Sequence, residues 1–297
     1  MSFLFTCPHC QTQTQVEDRY SGQSGECVTC GGKIKVPLFA ATDGVGTEQG
    51  RPMTWLAAVG AMIVILCCLV FLIFRFSGDT VKRLSTNRIR NSSIKNLEKI
   101  AAALNAYAND YGKYPPPAIV DANNKPLLSW RVLILPYLGE DSLYSQFDLT
   151  KAHDAPQNAN MIYMMPDVFK HPASVGNYPT ESDYYLIVGR GTLFPKSGPL
   201  GPNDVMDSPS QTILVAEGDP NVMTAMWTEP VDLEFGAMTG QINGGVDDLG
   251  GNLMEDGTAM VTVDGRGHFL PITTSPSDVN SMISPRGGEP LKDSLLD

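Results

Sequence analysis

Four cysteines near the start of the chain have a spacing that suits metal chemistry. Cys7-Pro-His-Cys10 and Cys27-Val-Thr-Cys30 are two C-x₂-C pairs with sixteen residues between them. Thiolates are soft ligands, and zinc takes four of them in a tetrahedron. Two such pairs joined by a short hairpin therefore read as a zinc ribbon, with Cys7, Cys10, Cys27 and Cys30 as ligands. The metal would replace a core that so short a segment cannot build. A disulfide pair or four free thiols is the alternative. His9 is a substitute ligand, but all four cysteines are the favoured set. Four thiolate ligands leave no open position, which argues against catalytic zinc. Gly31 and Gly32 suit the tight turn after the second pair.

A second candidate set is acidic. Asp247, Asp248, Glu255 and Asp256 fall in the glycine-rich stretch GGVDDLGGNLMEDG. Hard oxygen ligands on a loop suit calcium, although the EF-hand spacing is absent, and a solvated acidic loop is the competing reading. No nucleophile elbow, phosphate loop or metalloprotease helix occurs. His153, His171 and His268 lie far apart in bland surroundings, and no spacing joins His153, Asp154 or Asp183 to a serine as a triad. The chain thus offers metal-binding residues and no catalytic constellation.

The elements that must carry these residues divide the chain into four parts: 1–36 a zinc ribbon, 37–53 a linker, 54–75 a transmembrane helix and 76–297 an extracytoplasmic domain. The linker is rich in glycine, threonine and acid and lacks apolar periodicity. Thr54 to Phe74, TWLAAVGAMIVILCCLVFLIF, has neither charge nor proline and would span roughly 30 Å as a helix, the thickness of a bilayer's hydrocarbon core. No polar face interrupts it, as a buried globular helix would usually require. Next come Lys82, Arg83, Arg88, Arg90, Lys95 and Lys99 with one acid, Glu98, a stretch able to meet anionic head groups. From Ile100 onward, 25 acids against 10 bases give a net charge of −15, within −11 for all 297 residues. That balance argues against nucleic-acid binding by the large domain.

Apolar residues then recur at helical steps: Ile94, Leu97, Ile100, Ala101, Leu104, Tyr107, Ala108 and Tyr111. They form one stripe of an amphipathic helix, which Gly112 and Pro115 to Pro117 end. Pro126–Phe147 reads as two short helices broken near Pro136 and Gly139, with Glu140 or Asp141 as a cap and Trp130 and Tyr137 in the core. Tyr184–Val188, Thr212–Ala216 and Ala259–Val263 read as strands, the last joined to Arg266–Leu270 by the two-residue turn Asp264-Gly265. Gly189 to Ser210 reads as a long loop, and the tail from Thr273 as polar and weakly patterned.

The pieces NLEKIAAALNAYANDYGKYPP, KPLLSWRVLILPYLGEDSLYSQF, TILVAEGDP, MWTEPVDLEF, the VDG hairpin and SPRGGEP occur in one order between about Asn91 and Pro290. Together they resemble a bacterial family of pseudopilin-like proteins, the domain of unknown function 1559. The resemblance implies an α+β, pseudopilin-like fold: a long N-terminal helix, transmembrane then amphipathic, packed on an antiparallel sheet. Glu217, Glu229 and Asp232 match family positions and are expected to hold turns and loops. Some secretion pseudopilins bind calcium in a C-terminal loop, which is the analogy behind that expectation. The chain departs from the family pattern at its start, with no glycine-phenylalanine processing site before Thr54 and no glutamate in the apolar helix. Gly244–Val263 also lacks the family's histidine-glycine-glycine piece.

Two topology signals oppose each other. The basic residues after the anchor favour a cytoplasmic position for that side. The thiolate ribbon before it favours the cytoplasm too. The resemblance decides for the ribbon, since family members place the basic helix outside. The expectation is a single-pass protein of the cytoplasmic membrane, N-terminus inside and large domain outside. Its partners would be the lipid bilayer and envelope proteins, and its role structural or interactive in an envelope or secretion-related assembly. A membrane-tethered sensor signalling through the ribbon, or an envelope hydrolase, is the alternative.

Overall fold

The computed structural model describes residues 2–38, 54–174, 180–219, 225–251, 253–288 and 296; within the long helix, side chains are described over 59–71 and from 83 onward. The expected linker lies outside the described residues from position 39. Two compact units divide the chain, Met1–Leu72 and Ile73–Asp297.

The first unit opens with two β-hairpins. β1 (Ser2–Thr6) pairs antiparallel with β2 (Gln13–Glu17), and β3 (Ser24–Glu26) with β4 (Lys33–Lys35). Each hairpin carries one C-x₂-C pair in its turn, so the metal-ligand spacing and the hairpin turn are one feature. α1 (Thr54–Tyr111) is a single helix of 58 residues. From 59 to 71 every described side chain on it is exposed, among them Met62, Ile63, Leu66 and Phe71. Among the described residues no helix is long and apolar enough to cross a membrane.

In the second unit the C-terminal part of α1 packs on a four-stranded antiparallel sheet. The strand order is β12–β11–β9–β7, with β7 Tyr184–Tyr185, β9 Ile213–Glu217, β11 Gly257–Thr262 and β12 Gly267–Pro271. Leu97, Ile100, Ala101, Leu104 and Ala108 are buried from α1 and join Tyr184, Leu214, Ala259 and Val261 in one core. The stripe thus packs as its period dictates, except that Tyr111, at 66% exposure, lies past the contact. Gly112, at φ +77°, donates its amide to the Ala108 carbonyl at 2.8 Å and closes the helix in a conformation that costs other residues about 1–2 kcal/mol. Helix and sheet approach closely at Gly267, where a Cβ would stand 2.5 Å from Ile94 Cγ2.

The opposite sheet face carries a second core of Tyr185, Ile213, Ala216, Met260 and Leu270, covered by Val279, Met282 and Ile283 of α4 (Pro276–Ile283). The tail after Thr273 is therefore not weakly ordered throughout. Ser275 accepts from the Asp278 amide, Pro276 occupies the first turn, and three apolar side chains reach the sheet. Pro126–Phe147 also differs from expectation. Its first residues form β6 (Pro126–Ser129), which pairs with β5 (Ala118–Val120). α2 (Trp130–Leu133), capped by Ser129, a 3₁₀ turn over Leu135–Leu138 and α3 (Asp141–Tyr144) follow. Glu140 stands at the N-cap of α3 without a side-chain bond, while Trp130 is buried and Tyr137 half-buried. The expected strand at Tyr184–Val188 is broken in two: Ile187–Val188, β8, leaves the sheet to pair in parallel with β10 (Leu233–Glu234).

Because Leu104 is fully buried where helix meets sheet, Leu104→Ala should cost about 2–5 kcal/mol in urea unfolding followed by circular dichroism. Tyr111→Ala should stay within about 0.5 kcal/mol.

Candidate metal centre

The two hairpin turns are near copies of each other. Cys7 donates its amide to the Thr12 carbonyl at 3.0 Å and accepts from the Gln11 amide at 2.8 Å; Cys27 donates to Gly32 at 2.8 Å and accepts from Gly31 at 2.8 Å. Gln11 (φ 60°) and Gly31 (φ 70°) both occupy the left-handed region that closes the turn. The glycine was legible in the sequence; the strained Gln11 was not.

These turns bring all four sulfurs within 4.8 Å of one another. Cys7 and Cys30 Sγ are 3.9 Å apart, and Cys10 and Cys27 Sγ 3.8 Å. A tetrahedron with metal–sulfur bonds of about 2.3 Å has edges of about 3.8 Å. Two of the sulfur pairs already stand at that edge length, so small side-chain shifts let the cluster take one ion, and all four thiols are free of disulfides. Cys7 and Cys27 are buried, Cys30 exposed. The Thr12 hydroxyl and amide draw the Cys10 thiol down to about 6, and the Cys30 and Thr29 amides lower Cys27. The Gly32 amide pulls Cys30 the same way, but the neighbouring Cys10, Cys27 and Cys7 sulfurs outweigh it and push that thiol up to about 12. Protons so shared among close sulfurs are what a cation displaces. His9 is no ligand: its Nε2 lies 3.1 Å from the Lys33 carbonyl oxygen, and its ring packs over Gly32, tying one hairpin to the other.

The acidic set is placed otherwise. Among the described residues, only the four cysteines gather as a metal-binding group of three or more. Asp248 is buried and accepts from the Thr239 amide and hydroxyl and from the Gly240 and Gly245 amides at 2.6–2.9 Å. Asp247 accepts from the Glu234 amide at 3.0 Å, and Asp256 pairs with Arg90 at 2.6 Å. Glu255 is exposed. Loop-holding bonds thus occupy three of the four carboxylates expected for calcium, and their oxygens do not converge on one point.

Buried polar clusters hold the second unit together, and spacing gave no hint of them. Glu217 at the end of β9 accepts from the Ala259 amide at 2.7 Å, from Thr258 Oγ1 at 3.1 Å and from Ser93 Oγ of α1. His171 Nε2 faces it at 3.3 Å, while Nδ1 accepts from the Ala173 amide at 3.1 Å, so the ring proton belongs on Nε2. Asp183 accepts from the His171 amide and from Ser174. His171, Glu217 and Asp183 are each at most 2% exposed, so the three form a buried brace. Asp232 forms another brace, taking Trp130 Nε1 at 3.0 Å, the Leu186 amide at 2.9 Å and Arg131 at 3.5 Å. Burial pushes Asp232 up to about 6 against the pull of Arg131, and it raises Asp183 as well. Glu217 and Asp232 thus hold elements together. Glu229 donates its amide to the Met226 carbonyl at 2.8 Å within a turn. His153 donates its amide to the Leu127 carbonyl at 2.8 Å, and His268 Nδ1 lies 3.1 Å from the Leu296 carbonyl oxygen.

Residues 90–198 match the family model described as "Protein of unknown function (DUF1559)". The match covers the end of α1, β5–β8 and the short helices between them. No curated protein and no solved structure matches the chain.

One equivalent of metal per chain should purify with the protein, and Cys27→Ser should lose it while leaving the second unit folded, as read by metal analysis and circular dichroism. Metal retention should fall as pH is lowered, because the thiols must give up their protons. A separate pH effect follows from Asp232. Its folded value of about 6 lies above the ordinary aspartate value of 3.8, so the folded state holds the extra proton between them. That contribution to stability is complete below about 4 and lost as pH rises through about 6. Urea midpoints should therefore fall over this window, and fall less in Asp232→Asn.

Proposed function

We propose that this chain, with its DUF1559 segment as premise, is a single-pass membrane-anchored protein in which residues 54–75 cross the bilayer. The ribbon then lies in the cytoplasm holding zinc, and the large pseudopilin-like domain lies outside. Its role is structural or interactive, as part of an envelope or secretion-related assembly, without catalysis. The observation that carries this reading is the 59–71 stretch of α1: regular helix with apolar side chains exposed all round, a state that water penalises and lipid does not. A long helix running onto an antiparallel sheet agrees with the pilin-like resemblance. Zinc is the ion chosen because four thiolates at tetrahedral spacing suit it and leave no position for substrate. The non-catalytic reading draws support from the sealed braces around Glu217 and Asp232, whose carboxylates are committed to backbone and hydroxyl donors. Free thiols in the ribbon suit a reducing compartment.

Reporter fusions at each end test the topology. A reporter active only inside the cell should work at the N-terminus, and one active only outside at the C-terminus. Both ends on one side, or release of the chain by alkaline carbonate, would overturn the proposal.

A further inference from the structure

The two ribbon hairpins leave a groove of about 520 Å³ between them. Its walls are unusual in one respect. Thr14, Gln15, Val16 and Glu17 of β2 line it in unbroken sequence, and so do Ser24, Gly25 and Glu26 of β3. Successive side chains of a strand point to opposite faces. A cavity bordered by every residue in turn is therefore bordered by the strand edge. β2 pairs only with β1, and β3 only with β4, each in a two-stranded sheet. Among the described residues, no backbone bond to another segment covers the outer edge of 14–17 or of 24–26. Two unpaired edges thus face one cavity.

We infer that this groove receives an extended peptide segment of a protein partner, which enters as a strand between β2 and β3 and joins the two hairpins into one sheet. This deepens the interaction role proposed above and rests on its ribbon half, not on the membrane topology. Strand edges are templates for such backbone pairing, with side-chain pockets adding specificity. The size agrees: with a rise of 3.3 Å per residue, a strand spacing of 4.8 Å and a sheet thickness of 10 Å, three residues sweep roughly 480 Å³. The side-chain chemistry of the guest can also be read. Phe5, Val16, Ile34 and Val36 give the groove apolar patches, which call for apolar residues at alternate guest positions. Of the acids on the walls, Glu17 is taken by Arg19 at 2.8 Å, while Glu26 has no ion pair among the described residues. A basic residue in the guest would meet it. Cys7 and Cys27 also line the groove, so the metal that gathers the two hairpins sets the distance between the edges.

The test uses the full chain, metal-loaded in detergent micelles, and a fluorescein-labelled peptide of sequence Lys-Val-Thr-Val-Thr-Val, followed by anisotropy. Saturable binding below about 1 mM is expected. Two control peptides carry N-methyl groups on one or the other alternate set of amides. A strand bonded on both sides uses both sets, so each control should bind at least tenfold more weakly. Glu26→Lys should weaken the unmodified peptide roughly fivefold at low salt. No saturable binding, or a methylated control binding as tightly as the parent, would overturn the inference while leaving the topology experiment untouched.

Discussion

Burial of one helical stripe is the contact on which the larger unit depends. Leu97, Ile100, Ala101, Leu104 and Ala108 of α1 lie against a sheet whose own strands are two to six residues long. Strands so short cannot form a stable sheet by their ladder alone; they need an apolar slab to lie on. The helix supplies one face of that slab and α4 the other, which is why β9 and β11 are buried along their whole length. At roughly 1.5–3 kcal/mol for each large side chain buried, the stripe outweighs any single polar brace in the unit.

The braces do a different job. Ser93, Glu217 and Thr258 come from α1, β9 and β11, and their mutual bonds fix the rotation of the helix over the sheet. Asp232 does the same for α2, β8 and β10 through Trp130, Arg131 and the Leu186 neighbourhood. Apolar packing alone tolerates sliding, whereas a buried carboxylate loses several kcal/mol if its donors move away. The chain thus places its costliest groups where several elements must agree on one register. The raised proton affinity of Asp232 records that cost.

How much of this could be read in advance depended on the range of the signal. The cysteine pairs were legible because ligand spacing is local and each pair sits in one turn. The helix and its end at Gly112 were legible because the stripe spans many turns and the glycine is a local stop. The Asp264-Gly265 turn was legible for the same reason, and the hairpin it closes is present. The two-residue strands β7, β8 and β10 are too short for a period to show. β6 was hidden because Leu127, Leu128 and Ser129 are all buried, so no alternation survived to tell strand from helix. α4 could have been found, since Ser275-Pro276-Ser277-Asp278 is a cap followed by a helix-starting proline. Asp232 meets Arg131 across 101 residues of chain, and nothing local announces that pairing.

The ribbon shows the opposite balance. It has few apolar side chains out of water, with Cys7, Cys27 and Val36 its only buried ones among the described residues. Packing of that kind cannot hold two hairpins at a fixed separation, so the thiol cluster must do so. The His9 contact with Lys33 and Gly32 adds a second tie between the hairpins. In the larger unit the sheet is consumed by its own core. The ribbon instead leaves the outer edges of β2 and β3 without backbone partners among the described residues.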